Sequence, residues 1–137
     1  MKIERFEDLD CWKQARILAN LVYDLCETRS IGRDGRLRDQ ITSAAVSVMN
    51  NIAEGFDSQS NAEFKRFLGY ARRSVSEVQS CGYVALDRKH ITQEDFRSLY
   101  DQSELTRKII DGLLRYLRAK RTQRAQPAKR TERAQQA

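Results

Sequence analysis

An all-α fold, an up-down-up-down antiparallel four-helix bundle, is what this 137-residue sequence predicts, and three observations predict it. The only proline is Pro127, so more than a hundred residues run without the strongest helix breaker. Four segments repeat apolar residues at steps of three and four, the period of a helix face. The breaks between them are short, and short links make successive helices pack antiparallel.

The first helix is expected at about 8–27. Trp12, Ala15, Ala19, Val22 and Cys26 form one stripe, flanked by a second of Cys11, Leu18, Leu21 and Leu25. After the break Ser30-Ile31-Gly32-Arg33, the second is expected at 34–56, with Leu37, Ile41, Ala44, Ala45, Val48 and Ile52 on one side. Asp57-Ser58-Gln59 ends it. The third, at 60–88, opens with Ser60-Asn61-Ala62-Glu63, a capping box in which serine and glutamate satisfy free amides at the helix start. Phe64, Leu68, Ala71, Val75, Val78 and Ala85 follow on one face. Lys89-His90-Ile91 leads into the fourth, at 92–120, where Glu94 and Asp95 suit the positive end of the helix dipole. Phe96, Leu99, Ser103, Thr106, Ile110, Leu113 and Leu117 carry its stripe. Residues 1–121 thus form the bundle, and 122–137 a basic tail without an apolar stripe, expected to be disordered or an irregular helical extension of the fourth helix.

Phe67, Tyr70, Tyr83 and Leu86 run beside the main stripe of the third helix, as the second stripe does on the first. Apolar surface beyond the needs of a lone bundle predicts a homo-oligomer; the competing expectation is that it only widens the core.

Charge is unevenly placed. Of 25 basic residues eight fall from Arg115 onward, leaving 17 before it against 18 of the 19 acids. These eight are Arg115, Arg118, Lys120, Arg121, Arg124, Lys129, Arg130 and Arg133. Such a cluster can neutralise phosphates and release counterions, which predicts salt-sensitive nucleic-acid binding, with Tyr116 available to stack on a base or to pack at the helix end. A plain solubility tail accounts for the same charges.

Other constellations point away from catalysis. His90 is the only histidine, so no triad or di-iron set can be assembled in one chain, and Asp87 with His90 reads as an ordinary loop pair. Cys11, Cys26 and Cys81 have no zinc spacing and read as reduced thiols. No metal and no cofactor is expected. No apolar run is long enough for a membrane span and the N-terminus lacks a secretion signal, so the expected location is cytoplasmic. Ser47, Asn51 and Glu54 share a helix face that Ser74 and Glu77 can meet, forming a polar network that sets register. A buried Glu54 would need Arg72 or Arg73. Gly55 is expected either to let helices approach closely or to end the second helix in a left-handed conformation.

The run Gln40-Ile41-Thr42-Ser43-Ala44-Ala45-Val46-Ser47-Val48-Met49-Asn50-Asn51-Ile52-Ala53-Glu54-Gly55-Phe56 resembles a known signature. So do Phe6-Glu7-Asp8-Leu9 with Trp12-Lys13 and Ala15-Arg16 before it, and Glu63-Phe64, Phe67-Leu68, Ala71, Ser74 and Glu77 after it. The resemblance is to the four helix bundle protein family, also called the S23 or 23S rRNA-intervening sequence protein family. It implies an up-down bundle assembled as a homopentameric ring, without enzymatic activity. A related branch, the accessory variability determinants of diversity-generating retroelements, binds a reverse transcriptase and nucleic acid. Thr42, Ser43, Met49, Asp57 and Ser58 stand where family members often carry arginines, a proline and a glycine-arginine pair. The sequence therefore predicts a non-enzymatic oligomer that binds nucleic acid, RNA first, through its basic C-terminal cluster. The alternative is a scaffold that docks a protein such as a reverse transcriptase.

Overall fold

The computed structural model describes the backbone of residues 2–136 and the side chains of residues 2–120. Four α-helices account for the fold: α1 Asp10–Thr28, α2 Gly35–Asp57, α3 Asn61–Asp87 and α4 Gln93–Gln136. Short 3-10 turns at Phe6–Asp8 and Ser30–Arg33 precede α1 and α2. The expected tail at 122–137, with Arg124, Lys129, Arg130 and Arg133, lies outside the described side chains, as does Arg121.

Each helix packs on its neighbour in sequence, and α4 closes the square against α1. The directions alternate. Arg29, after the end of α1, pairs with Asp95 at the start of α4 at 2.8 Å, and Gly55, near the end of α2, lies under Phe64 and Phe67 at the start of α3. Gly82, late in α3, faces Leu99, early in α4.

Capping sets the helix starts. Asp34 accepts the Leu37 amide at 3.3 Å ahead of α2, and Ser60 accepts the Glu63 amide at 3.2 Å ahead of α3. The reciprocal half of the expected Ser60 box is replaced, because the Ser60 amide donates to Ser58 Oγ and Glu63 pairs with Arg66. The complete reciprocal box sits at α4. The Asp95 amide donates to Thr92 Oγ1 at 3.0 Å, and the Thr92 amide donates to Asp95 Oδ2 at 3.1 Å.

Every residue of the expected α2 and α3 stripes is buried. On α1 the two stripes merge: Cys11, Ala15, Leu18, Ala19, Val22 and Leu25 are buried, while Trp12 and Cys26 are half-buried. There the second stripe widens the core. On α3 it does not, since Tyr70 and Tyr83 stay exposed. On α4 Leu99 and Leu117 of the expected stripe are buried, but between them Leu114 is buried where Leu113 was expected, and Leu113 is only half-buried.

The core divides into two clusters along the bundle. One gathers Leu18, Val22, Ile31, Ile41, Val78 and Leu99; the other gathers Ala15, Val48, Ile52, Leu68, Val75 and Ile110. Met49 packs against both. Ser103 and Thr106 are fully buried on α4 and donate to the carbonyls of Leu99 and Gln102, each at 2.8 Å. Such back-bonding lets a hydroxyl sit in an apolar seam at little cost.

Gly55 is helical and buried, which excludes the left-handed ending. A Cβ there would come 2.8 Å from Phe67 Cβ. The close-approach expectation holds, and the left-handed φ falls instead on Gln59 at 56°. At Gly32 a Cβ would come 1.8 Å from the Cys26 carbonyl oxygen, so the turn from α1 to α2 requires glycine.

Candidate functional site

The described part of the basic cluster lies on the last described turns of α4. Arg115 and Arg118 line a groove of about 550 Å³ between α3 and α4, joined by Arg72 and Arg73 of α3. Gly69, Ser76, Asp111 and Leu114 complete its walls. The helix period explains the assembly. Arg72 and Arg73 follow the buried Ala71 and so reach the surface beside α4, and Arg115 and Arg118 follow Leu114 and Leu117 in the same way. The sequence separates the two pairs by some forty residues, and the antiparallel packing of α3 and α4 unites them.

Four guanidiniums thus face one carboxylate, Asp111, which pairs with Arg72. Arg73 also lies 5.8 Å from the Tyr70 ring centroid, and Arg66 5.7 Å. Cation–π contacts of this sort orient a guanidinium without neutralising it. At Gly69 an added Cβ would meet nothing within 4 Å, so the groove floor is open backbone.

Lys120 turns to the other side of α4. Its ammonium lies 5.8 Å from the centroid of Tyr116, and both line a second groove with Lys2, Phe56 and Phe64. The expected nucleic-acid set is therefore split. Arg115 and Arg118 look toward α3, and Lys120 looks toward the N-terminal segment. The contribution of Arg72 and Arg73 was missed in the sequence because both sit in a helix whose charge is balanced overall. Their signal was position: the pair lies between the buried Ala71 and Ser74.

The expected polar network is only partly assembled. Ser74 donates to Ser47 Oγ at 3.0 Å, and Asn51 donates to the Ser47 carbonyl at 2.8 Å and to its hydroxyl at 2.9 Å. Glu54 and Glu77 are exposed and do not join it. Glu54 needs no arginine, since it remains in water, and Arg72 goes to Asp111 instead. The stronger α3–α4 tie is one the sequence did not announce. Gln79 donates to Glu104 at 2.8 Å and accepts from Arg107, which also donates to Ser76 at 3.0 Å.

The remaining reactive side chains are engaged or silenced. His90 contacts Ser30 Oγ at 2.9 Å through Nδ1 and Asp34 at 3.2 Å through Nε2. It joins the start of α2 to the α3–α4 link, and Asp87 stays out in solvent. Burial pushes the Cys11 thiol up to about 12 and raises Cys26 and Cys81 as well, so none is poised as a thiolate. All three cysteines are unpaired. Among the described residues no cluster of three or more metal-binding side chains forms, and no helix is long and apolar enough to cross a membrane.

Residues 7–112 match the family model described as 23S rRNA-intervening sequence protein. The fold is similar to that of a protein of unknown function from the S23 ribosomal protein family of Bacteroides thetaiotaomicron VPI-5482. That crystal structure has a TM-score of 0.70 and 20% identity, over 76% of this chain and 97% of that one. No curated protein matches the chain.

Proposed function

The chain belongs to the 23S rRNA-intervening sequence protein family, and we propose that it acts there as a non-enzymatic, self-assembling bundle that binds nucleic acid, RNA in preference. The observation that carries this is the groove where Arg72 and Arg73 of α3 meet Arg115 and Arg118 of α4. Guanidiniums from both helices open onto this one groove, with Asp111 as the carboxylate in its lining. Guanidiniums hold phosphate oxygens in bidentate pairs, and each phosphate neutralised releases counterions. Asp111 sets the baseline: it holds Arg72 in place, and a phosphate entering the groove competes with it.

Self-assembly belongs to the same reading. Ile17 and Tyr23 on α1, and Tyr83 and Val84 on α3, leave apolar area in solvent. A homopentameric ring, as the family resemblance implies, would cover such area and repeat the groove around an axis. Repetition would raise avidity without new contacts.

A second reading is a docking scaffold for a protein such as a reverse transcriptase. It is favoured by the exposed Tyr83 lying on the half-buried Phe96 and Tyr100, with Tyr83 4.7 Å from Phe96 and Phe96 5.7 Å from Tyr100. Aromatic surface of that kind anchors protein interfaces.

The deciding experiment is fluorescence anisotropy of labelled single-stranded RNA and duplex DNA across a salt series. The proteins are the full chain, a form ending at Leu117, and the Arg115→Gln/Arg118→Gln variant. Salt-sensitive binding weakened in both altered forms supports the nucleic-acid reading. Absence of binding by the full chain at low salt rejects it in favour of the scaffold.

A further inference from the structure

The last described turns of α4 separate two grooves of unlike chemistry. On the α3 side is the arginine groove, lined by Arg72, Arg73, Arg115 and Arg118 with Asp111. On the opposite side a groove of about 580 Å³ opens among the N-terminal segment, the α2–α3 turn and α4. Its charges balance, with Lys2 and Lys120 against Glu4 and Asp57. Phe56, Phe64 and Tyr116 supply aromatic wall, and Gln59 and Asn61 place side-chain amides at its edge.

Tyr116 is the unusual member. A tyrosine beside core leucines ordinarily packs its ring on the core and leaves its hydroxyl in water. Here the side chain is 59% exposed, more than any other exposed large apolar residue described. Its neighbours Phe56 and Phe64 stack on each other, edge to face at 5.9 Å, rather than on it. Lys120 lies 5.8 Å from its ring centroid, which leaves a cation beside a π-face.

We infer that this second groove receives an unpaired nucleobase against Tyr116, while the backbone phosphates of the same strand cross α4 into the arginine groove. The inference rests on the nucleic-acid reading and specifies its ligand as single-stranded. A neutral groove with an exposed aromatic ring and amide donors and acceptors fits an uncharged heteroaromatic base. A phosphate would find no net attraction there. The arginine groove has the converse properties. The two together match the two halves of a nucleotide. A duplex keeps its bases stacked inside and cannot offer one to Tyr116, so the pair of grooves discriminates between strand and duplex.

The test uses the full chain and a 12-nucleotide single-stranded RNA carrying one 2-aminopurine, alongside the same strand annealed to its complement. Anisotropy reads affinity, and 2-aminopurine fluorescence reads stacking. Tyr116→Ala is expected to weaken strand binding about tenfold, in the range of one lost base–aromatic stack. It should also abolish the 2-aminopurine quench and leave duplex affinity unchanged. Tyr116→Phe, which keeps the π-face, should behave as wild type. Because Tyr116 is exposed, folding of each variant is confirmed by an unchanged thermal transition. If Tyr116→Ala binds the strand as wild type does, or loses strand and duplex equally, the base site is wrong. If it does so while Arg115→Gln/Arg118→Gln still weakens binding, only the base site falls. If the wild-type chain binds neither probe at low salt, the nucleic-acid reading falls and takes the base site with it.

Discussion

At one end of the bundle, Arg29 reaches Asp95 at 2.8 Å, His90 bridges Ser30 and Asp34, and Gly32 lies against the Cys26 carbonyl. At the other end, Tyr116 stands 59% exposed in one groove, and Arg115 and Arg118 line another. Both ends must satisfy the same orphan groups at helix termini. The first does so by joining every link to its neighbour, through ion pair, imidazole and reciprocal cap. The second caps its α2–α3 turn through Ser58 and Ser60 but leaves Tyr116, Arg115 and Arg118 at the surface. A fold that closes one end with hydrogen bonds and leaves the other unfilled places stability at the first and recognition at the second.

The largest effect should come from breaking the closed end at its tightest point. Gly32→Ala must displace the Cys26 carbonyl, and should cost about 3 kcal/mol, the upper part of the overpacking range. Urea denaturation measures it, and nucleic-acid affinity of the folded fraction should be unchanged. Next is the open end. Arg72→Gln/Arg73→Gln should weaken nucleic-acid binding about tenfold, or about 1.4 kcal/mol. It should shift the thermal midpoint little, because the Arg72–Asp111 pair is a surface one. Loss of stability with unchanged affinity would reverse the assignment of the two ends.

A smaller effect is expected of His90→Ala. It removes both contacts of a half-buried ring and should cost about 1 kcal/mol, read from the same denaturation curves. The smallest is a pH effect. The Arg29 hydrogen bond holds the Asp95 carboxyl below its ordinary value of 3.8. A carboxylate with a depressed folded pKa contributes stability above its unfolded value. That contribution is lost as pH falls through the folded one. Asp95→Asn should therefore be slightly less stable than wild type at neutral pH, and the gap should narrow as pH falls below the ordinary carboxylate range. A gap that persists at pH 2 would mean that Asp95 acts through packing instead.

The open and closed ends were not equally legible in the sequence. Helix limits were readable to within two residues from α1 through α3, because Asp34 and Ser60 are strong caps and the stripes from Leu37 to Ile52 and Phe64 to Ala85 are unbroken. The closed end was less so. Asp34 and His90 stand 56 residues apart, and nothing in local spacing joins them. Glu54 and Glu77 were placed in a polar seam by helix period alone. They stand exposed because a carboxylate with access to water stays there. At the open end the α4 cluster was visible as a charge imbalance. Its α3 half was hidden, since Arg72 and Arg73 lie in a helix of four basic and three acidic residues and become a groove only when α3 and α4 align. The placement of Tyr116 was open between packing and display, and only the fold turned it outward.

The most direct measurement is the salt dependence of single-stranded RNA affinity for the wild-type chain and for Arg115→Gln/Arg118→Gln. If the two arginines each neutralise a phosphate, the slope of log K against log salt should become shallower by about 1.4, at about 0.7 per contact on a single strand. Equal slopes and equal affinities for the two proteins, or no binding by the wild-type chain at low salt, would contradict the assignment of recognition to the open end.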